Sequence, residues 1–281
     1  MPFIQANYFS TALMRDISFC ALLPALNTPS IPGQFMPGGK ILPPTAKFQT
    51  LYLLHGIFGN ERSWLSSSRI EQYAAERNIA VIMPSGDLSF YADMEIGEGA
   101  AYNYGKFIGK ELVDVTRLMF PLSTEREDTF IAGLSMGGYG ASRVGLEYAD
   151  TFGAIGALSG VLDAVEALRQ IDEGPGGGLD FVWKSCFESL EKMENSTNDL
   201  FYMSKKRKDE GKLPFIYQAC GTEDFLYTAN TKFRDHMKNV VCATSEEYIY
   251  EEGPGVHDWK FWDSYIQTCL DKFPLKRKAI L

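Results

Sequence analysis

The sequence predicts an α/β fold, a mostly parallel central sheet with helices on both faces, and three observations carry that expectation. Short apolar runs, KFQTLYLL at 47–54, AVIM at 80–83, TFIA at 129–132 and FIYQA at 215–219, have the length of strands buried on both faces, and stretches of helical spacing separate them. The run at 129–132 leads through Gly133-Leu134-Ser135-Met136-Gly137, a G-x-S-x-G pattern, into a helix-like stretch at 139–148. Finally, a histidine, His257, stands in a glycine-rich loop after the last strand-like run.

Taken in order, residues 16–23 (DISFCALL) alternate as an early strand, and 24–44, rich in Pro and Gly, read as a surface loop. The strand at 47–54 ends at His55-Gly56-Ile57-Phe58-Gly59. A helix is expected at 69–77 and a buried strand at 80–83, closed by Pro84-Ser85-Gly86-Asp87. The following loop carries Phe90, Tyr91, Tyr102 and Tyr104, which either line an acyl pocket or form a satellite hydrophobic cluster. Phe107, Ile108, Leu112, Val115 and Leu118 repeat with helical spacing over 106–119. Strands follow at 154–158 and 215–219, and between them 161–214 is far longer than an ordinary connection. It holds helix-like pieces at 162–170, 179–193 and 199–208, split by Gly174-Pro175-Gly176-Gly177-Gly178, and is expected to be a small helical cap near the serine. Trp183, Phe187, Phe201 and Tyr202 either shape its leaving-group side or glue it to the body. The run Lys205-Lys206-Arg207-Lys208 meets Asp209 and Glu210 at once and reads as a solvated helix end. A helix at 228–240, a strand at 246–250 and a last helix at 259–270 complete the chain.

At 281 residues with 45% hydrophobic content, residues 1–281 are expected to form one domain with the 161–214 insertion. A net charge of −9 argues against nucleic acid and anionic membrane surfaces as partners. The N-terminal stretch lacks the basic region and uninterrupted apolar core of a signal peptide, and no run is long enough to span a bilayer. Cys20, Cys186, Cys220, Cys242 and Cys269 are widely spaced without a C-x-x-C, as free thiols in a reducing cytoplasm would be; neither a disulfide frame nor a metal site is suggested. A homo-oligomer is compatible with all of this.

The G-x-S-x-G spacing has a steric reason. A serine on a sharp strand-to-helix turn is held in a strained conformation that lifts its hydroxyl above the sheet, and residues two before and two after crowd their neighbours, so both must lack a Cβ. Gly133 and Gly137 meet that demand, which makes Ser135 the candidate nucleophile of an α/β-hydrolase fold. Of the three histidines, His55 lies in the loop before the elbow and His236 within a helix, leaving His257 as the base. The acid should lie between them at a strand end: Asp224 fits, with Glu223 and Asp163 as rivals. The amides of Ile57 and Met136 are the expected oxyanion donors.

Five blocks, YLLHGIFGN, VIMPSGDLSFY, FIAGLSMGGYGA, GTEDFL and HDWKFWD, resemble in order the esterase family of α/β-hydrolases that holds esterase D (S-formylglutathione hydrolase), tributyrin esterases, feruloyl esterases and, more distantly, the mycolyltransferases. The resemblance covers nearly the whole chain and departs most in the cap. It implies Ser135 as nucleophile, Asp224 as acid, His257 as base, Ile57 and Met136 as oxyanion amides, and no metal or organic cofactor. The implied reaction is hydrolysis of a small-molecule ester with a short acyl group, acetyl or butyryl, or of cinnamoyl or feruloyl type. HGIFGN and HDWKFWD resemble the tributyrin and feruloyl branch, whereas S-formylglutathione hydrolases typically show a different oxyanion loop. S-formylglutathione hydrolysis and acyl transfer by the same three groups are the alternatives.

Overall fold

The computed structural model describes residues 1–24, 26–27, 40–41, 47–96, 100–174 and 178–276. Eight strands form the central sheet: β1 (Phe3–Ser10), β2 (Arg15–Leu22), β3 (Thr50–Leu54), β4 (Ala80–Pro84), β5 (Thr129–Leu134), β6 (Ala154–Leu158), β7 (Phe215–Gly221) and β8 (Tyr248–Gly253). They lie in the order β1-β2-β4-β3-β5-β6-β7-β8. From β4 to β8 every pairing is parallel, and β2 runs antiparallel to both its neighbours. The expected mainly parallel α/β sheet is therefore present.

The helices are α1 (Ser63–Ser67), α2 (Ile70–Arg77), α3 (Leu112–Met119), α4 (Met136–Glu147), α5 (Ala164–Glu173), α6 (Asp180–Phe187), α7 (Leu190–Met193), α8 (Leu200–Asp209), α9 (Tyr227–Asn239) and α10 (Trp259–Lys272). Strand alternation explains why they cover both faces. In β3, Tyr52 and Leu54 join the cluster that includes Leu112, Tyr139, Val144 and Phe233, while Leu51 and Leu53 join Trp64, Ile70, Tyr73, Ile266 and Leu270 on the opposite face. A strand apolar at every position needs a cover on each side, and the amphipathic helices supply it.

Several boundaries differ from the sequence expectation for physical reasons. β1 went unread because it is an edge strand whose alternate residues face solvent, Phe3 and Phe9 among them. The helix expected at 139–148 spans Met136–Glu147, its start hidden in the sequence by Gly137 and Gly138, whose low helix propensity the packing of the elbow overrides. The piece expected at 179–193 is two helices, broken at Glu188, whose φ is 56°, with Ser189 capping α7 by accepting the Lys192 N–H. A π-turn at Phe107–Glu111 precedes α3. Most of the 24–44 loop and Pro175–Gly177 of the glycine-rich break lie outside the described residues. Among the described residues no helix is long and apolar enough to cross a membrane.

Candidate active site

Ser135 sits between β5 and α4 with φ 53° and ψ −121°, backbone that a side-chain-bearing residue adopts only under constraint. The constraint is visible. The Ser135 N–H donates to Leu158 O at 2.9 Å, and its carbonyl accepts the Gly138 and Tyr139 N–H groups at 2.9 and 3.1 Å. Around it the chain leaves no space: a Cβ on Gly138 would approach the Gly160 Cα to 2.9 Å, so α4 starts pressed against the end of β6.

His257 arrives from the loop after β8. Its Nε2 lies 2.9 Å from Ser135 Oγ, and its Nδ1 lies 2.8 and 3.0 Å from the two oxygens of Asp224. A carboxylate accepts only, so the Nδ1 proton points to Asp224 and Nε2 is left to accept from the hydroxyl. Asp224 follows β7 and its side chain is fully buried. Burial pushes its pKa up, but the hydrogen bonds from His257 and from the Leu226 N–H outweigh this, and the carboxyl lies below its ordinary value. Phe225 packs on the imidazole with ring centroids 4.5 Å apart, and Trp262 meets it edge-on at 4.9 Å.

The other candidates go elsewhere. His55 is buried, receives the Gly86 N–H on Nε2 at 2.8 Å and places Nδ1 2.7 Å from Gly56 O; burial lowers its pKa to about 4, so it stays neutral and shapes the loop. His236 faces Ser204 Oγ at 3.1 Å and packs on Phe201. Asp163 pairs with Lys232 at 3.4 Å, and Glu223 bonds to Gly255, so neither touches the imidazole.

A cleft of about 330 Å³ opens beside Ser135. Gly56, Ile57 and Phe58 form one wall, Ser63, Ser66 and Ser67 of α1 another, and His257, Trp259 and Trp262 a third. Gly56 is pressed against the elbow, since its Cβ would stand 3.3 Å from Ser135 Cβ, and Ile57 follows it in the cleft wall. Met136 opens α4, where the first N–H groups have no intrahelical acceptor. A hydroxyl, an imidazole able to take its proton and a buried carboxylate to steady the imidazolium are together competent for nucleophilic acyl chemistry. Three of the four loop aromatics follow the cluster reading: Phe90, Tyr91 and Tyr104 are buried, and Phe90 packs on Trp183, Phe187 and Tyr139, while Tyr102 is exposed. Phe187 thus joins the 161–214 segment to Tyr139 of α4 and Trp183 joins it to Phe90, and neither lines this cleft. The α1 serines carried no signal in the sequence; Phe225 was legible only as part of GTEDFL, and Trp259 and Trp262 only as part of HDWKFWD.

A serine on a strained elbow above the carboxyl end of a mainly parallel sheet, facing an imidazole, defines an α/β serine hydrolase. The chain belongs to the esterase family whose model, described as "Putative esterase", matches residues 28–273. It is a carboxylic ester hydrolase. An acetyl esterase of Caldicellulosiruptor saccharolyticus is 35% identical over 283 residues, covering 96% of this chain and 97% of the relative. Two solved Staphylococcus aureus structures each share 31% identity, covering 96% of this chain and 97% of theirs. One is the fluorophosphonate-binding serine hydrolase FphF in substrate-bound form, with a TM-score of 0.78. The other is the S-formylglutathione hydrolase FrmB, as apoenzyme, with a TM-score of 0.76.

Proposed function

We propose that the protein hydrolyses short-chain acyl esters through a Ser135–His257–Asp224 triad and an acyl-enzyme. The observation that carries this reading is the unbroken relay from Ser135 Oγ to His257 Nε2 at 2.9 Å and from His257 Nδ1 to Asp224 at 2.8 Å, with Ser135 and His257 lining the cleft. His257 takes the Ser135 proton as Oγ attacks the ester carbonyl, and the amides of Ile57 and Met136 hold the oxyanion. The imidazolium gives its proton to the departing alkoxide. Water, deprotonated by His257, then attacks the acyl-serine and releases the carboxylic acid, returning the proton to Oγ. No step calls for a metal or organic cofactor.

A cleft of about 330 Å³ stands at the small end of ligand sites and favours acetyl or butyryl groups, with a flat cinnamoyl or feruloyl group as the larger alternative. The 31% identity to a solved S-formylglutathione hydrolase supports a second substrate class, a small thioester. Acyl transfer follows if an added alcohol outcompetes water at the acyl-serine. Residues 1–281 act in this reading as one domain, with 161–214 a cap packed on α4, in a cytoplasmic setting. The test is a panel of acetyl, butyryl, octanoyl and feruloyl esters and S-formylglutathione, run on wild type and Ser135→Ala. Turnover of the short esters by wild type and none by the variant is expected. Equal turnover by the two chains overturns the triad.

A further inference from the structure

Glu223 does not reach the imidazole, yet it is bonded to the loop that carries it. Its Oε2 accepts the Gly255 N–H at 2.6 Å and the Thr222 hydroxyl at 2.9 Å. Its own N–H donates to Gly255 O at 3.1 Å, and the Thr222 N–H donates to Gly253 O at 2.9 Å. The two loops touch closely: a Cβ on Gly221 would stand 2.2 Å from Gly255 O. Gly255 lies two residues before His257. On the far side of His257, Asp258 accepts the Phe261 N–H at 3.0 Å and caps α10. His257 is thus suspended between two anchors.

Gly253 is held in β8 and Pro254 fixes its own φ, but Gly255 has no Cβ, so nothing in that residue selects one conformation and its partners must do so. A carboxylate accepting a backbone N–H is a charge-assisted bond, stronger than the neutral ladder bonds beside it. We infer that Glu223 is a positioning residue: its carboxylate staples Gly255 to the acid loop and so holds His257 Nε2 at the Ser135 hydroxyl. Asp224 orients the ring, and Glu223 orients the backbone that carries the ring. This rests on the triad reading above.

Glu223 is solvent-exposed, so replacing it leaves the core packing untouched. The experiment compares Glu223→Ala, Glu223→Met and Glu223→Gln with wild type, reading kcat and KM on p-nitrophenyl acetate, the rate of fluorophosphonate labelling of Ser135, and thermal melts. Alanine and methionine, which remove the acceptor, are expected to lower kcat and the labelling rate about ten- to hundredfold with KM nearly constant, the loss typical of a catalytic group displaced by about 1 Å. Glutamine keeps an acceptor oxygen and restores most of the rate. A methionine chain that melts like wild type and keeps its kcat overturns the staple, as does a glutamine chain as slow as alanine. Ser135→Ala and His257→Ala run alongside separate the two failures: if they are inactive while Glu223→Met is not, only the staple falls, and if they turn over, the triad falls with it.

Discussion

Gly133 and Gly137 face each other beneath Ser135, so close that a Cβ on Gly133 would stand 2.3 Å from the Gly137 carbonyl oxygen. Gly137 in turn rests on the end of β3, where a Cβ would meet His55 O at 2.5 Å and Leu54 O at 2.6 Å. Those neighbours are backbone atoms of a buried strand and its loop, which cannot swing aside as a side-chain tip can. Gly137→Ala is therefore expected to cost about 3 kcal/mol, the upper part of the range for overpacking, and to lower the melting temperature by about 6 °C. Gly174→Ala is the control, since among the described residues its Cβ would meet nothing nearer than 3.6 Å; it should melt within about 1 °C of wild type. Equal melts for the two variants would show that the elbow is not packed as described.

Asp224→Asn tests the choice of acid. The amide keeps the volume but offers the imidazole a donor as readily as an acceptor, so the tautomer that leaves Nε2 free to take the Ser135 proton loses its support. A fall in kcat of about 10³- to 10⁴-fold is expected, with the fold intact by circular dichroism. Asp163→Asn should leave turnover near wild type, because Asp163 precedes α5 and its carboxylate pairs with Lys232 instead. The reverse pattern would move the acid to the end of β6.

These outcomes also mark what the sequence could and could not disclose. The elbow was legible because its constraint is local: five residues carry the strand end, the serine and the two missing Cβ atoms. His257 could be chosen because the chain has only three histidines. The identity of the acid stayed open between Asp224, Glu223 and Asp163, since all three lie at strand ends and only the turn at Gly221–Asp224 decides which carboxyl faces the ring. The edge strand β1 was missed for a different reason: half of its residues meet water, so its apolar signal is diluted. Nor could spacing reveal the walls of the cleft. Ser63, Ser66 and Ser67 come from a five-residue helix too short for a periodic signal, and they line the cleft together with Trp259 and Trp262, which lie far along the chain.

Buried His55 predicts an acid limb in stability. Its pKa of about 4 in the folded protein lies below the ordinary 6.5, so the unfolded chain binds the extra proton first as pH falls. Its contribution is intact above pH 6.5, declines as pH drops from about 6.5 to about 4, and is lost below that, for a total of about 3 kcal/mol. Urea unfolding at intervals between pH 7.5 and 4 should show that decline. Nuclear magnetic resonance should show that the His55 imidazole does not titrate above pH 5. If it titrates near its ordinary 6.5, the Gly86 N–H to His55 bond cannot be as described.

Ser135 itself separates strain from chemistry. At φ 53° and ψ −121° its backbone sits where side-chain-bearing residues are penalised by about 1–3 kcal/mol and glycine is not. Against that, glycine gives the unfolded chain extra freedom worth about 0.5–1 kcal/mol. Strain is the larger of the two, so Ser135→Gly should be more stable than Ser135→Ala by about 1 kcal/mol in denaturant unfolding. Both should lack turnover, with rates at least about 10⁴-fold below wild type. A fluorophosphonate probe should add its mass to wild type at Ser135 and to neither variant. If alanine proves the more stable, the elbow stores no strain and the lift of the hydroxyl above the sheet must come from the surrounding hydrogen bonds alone.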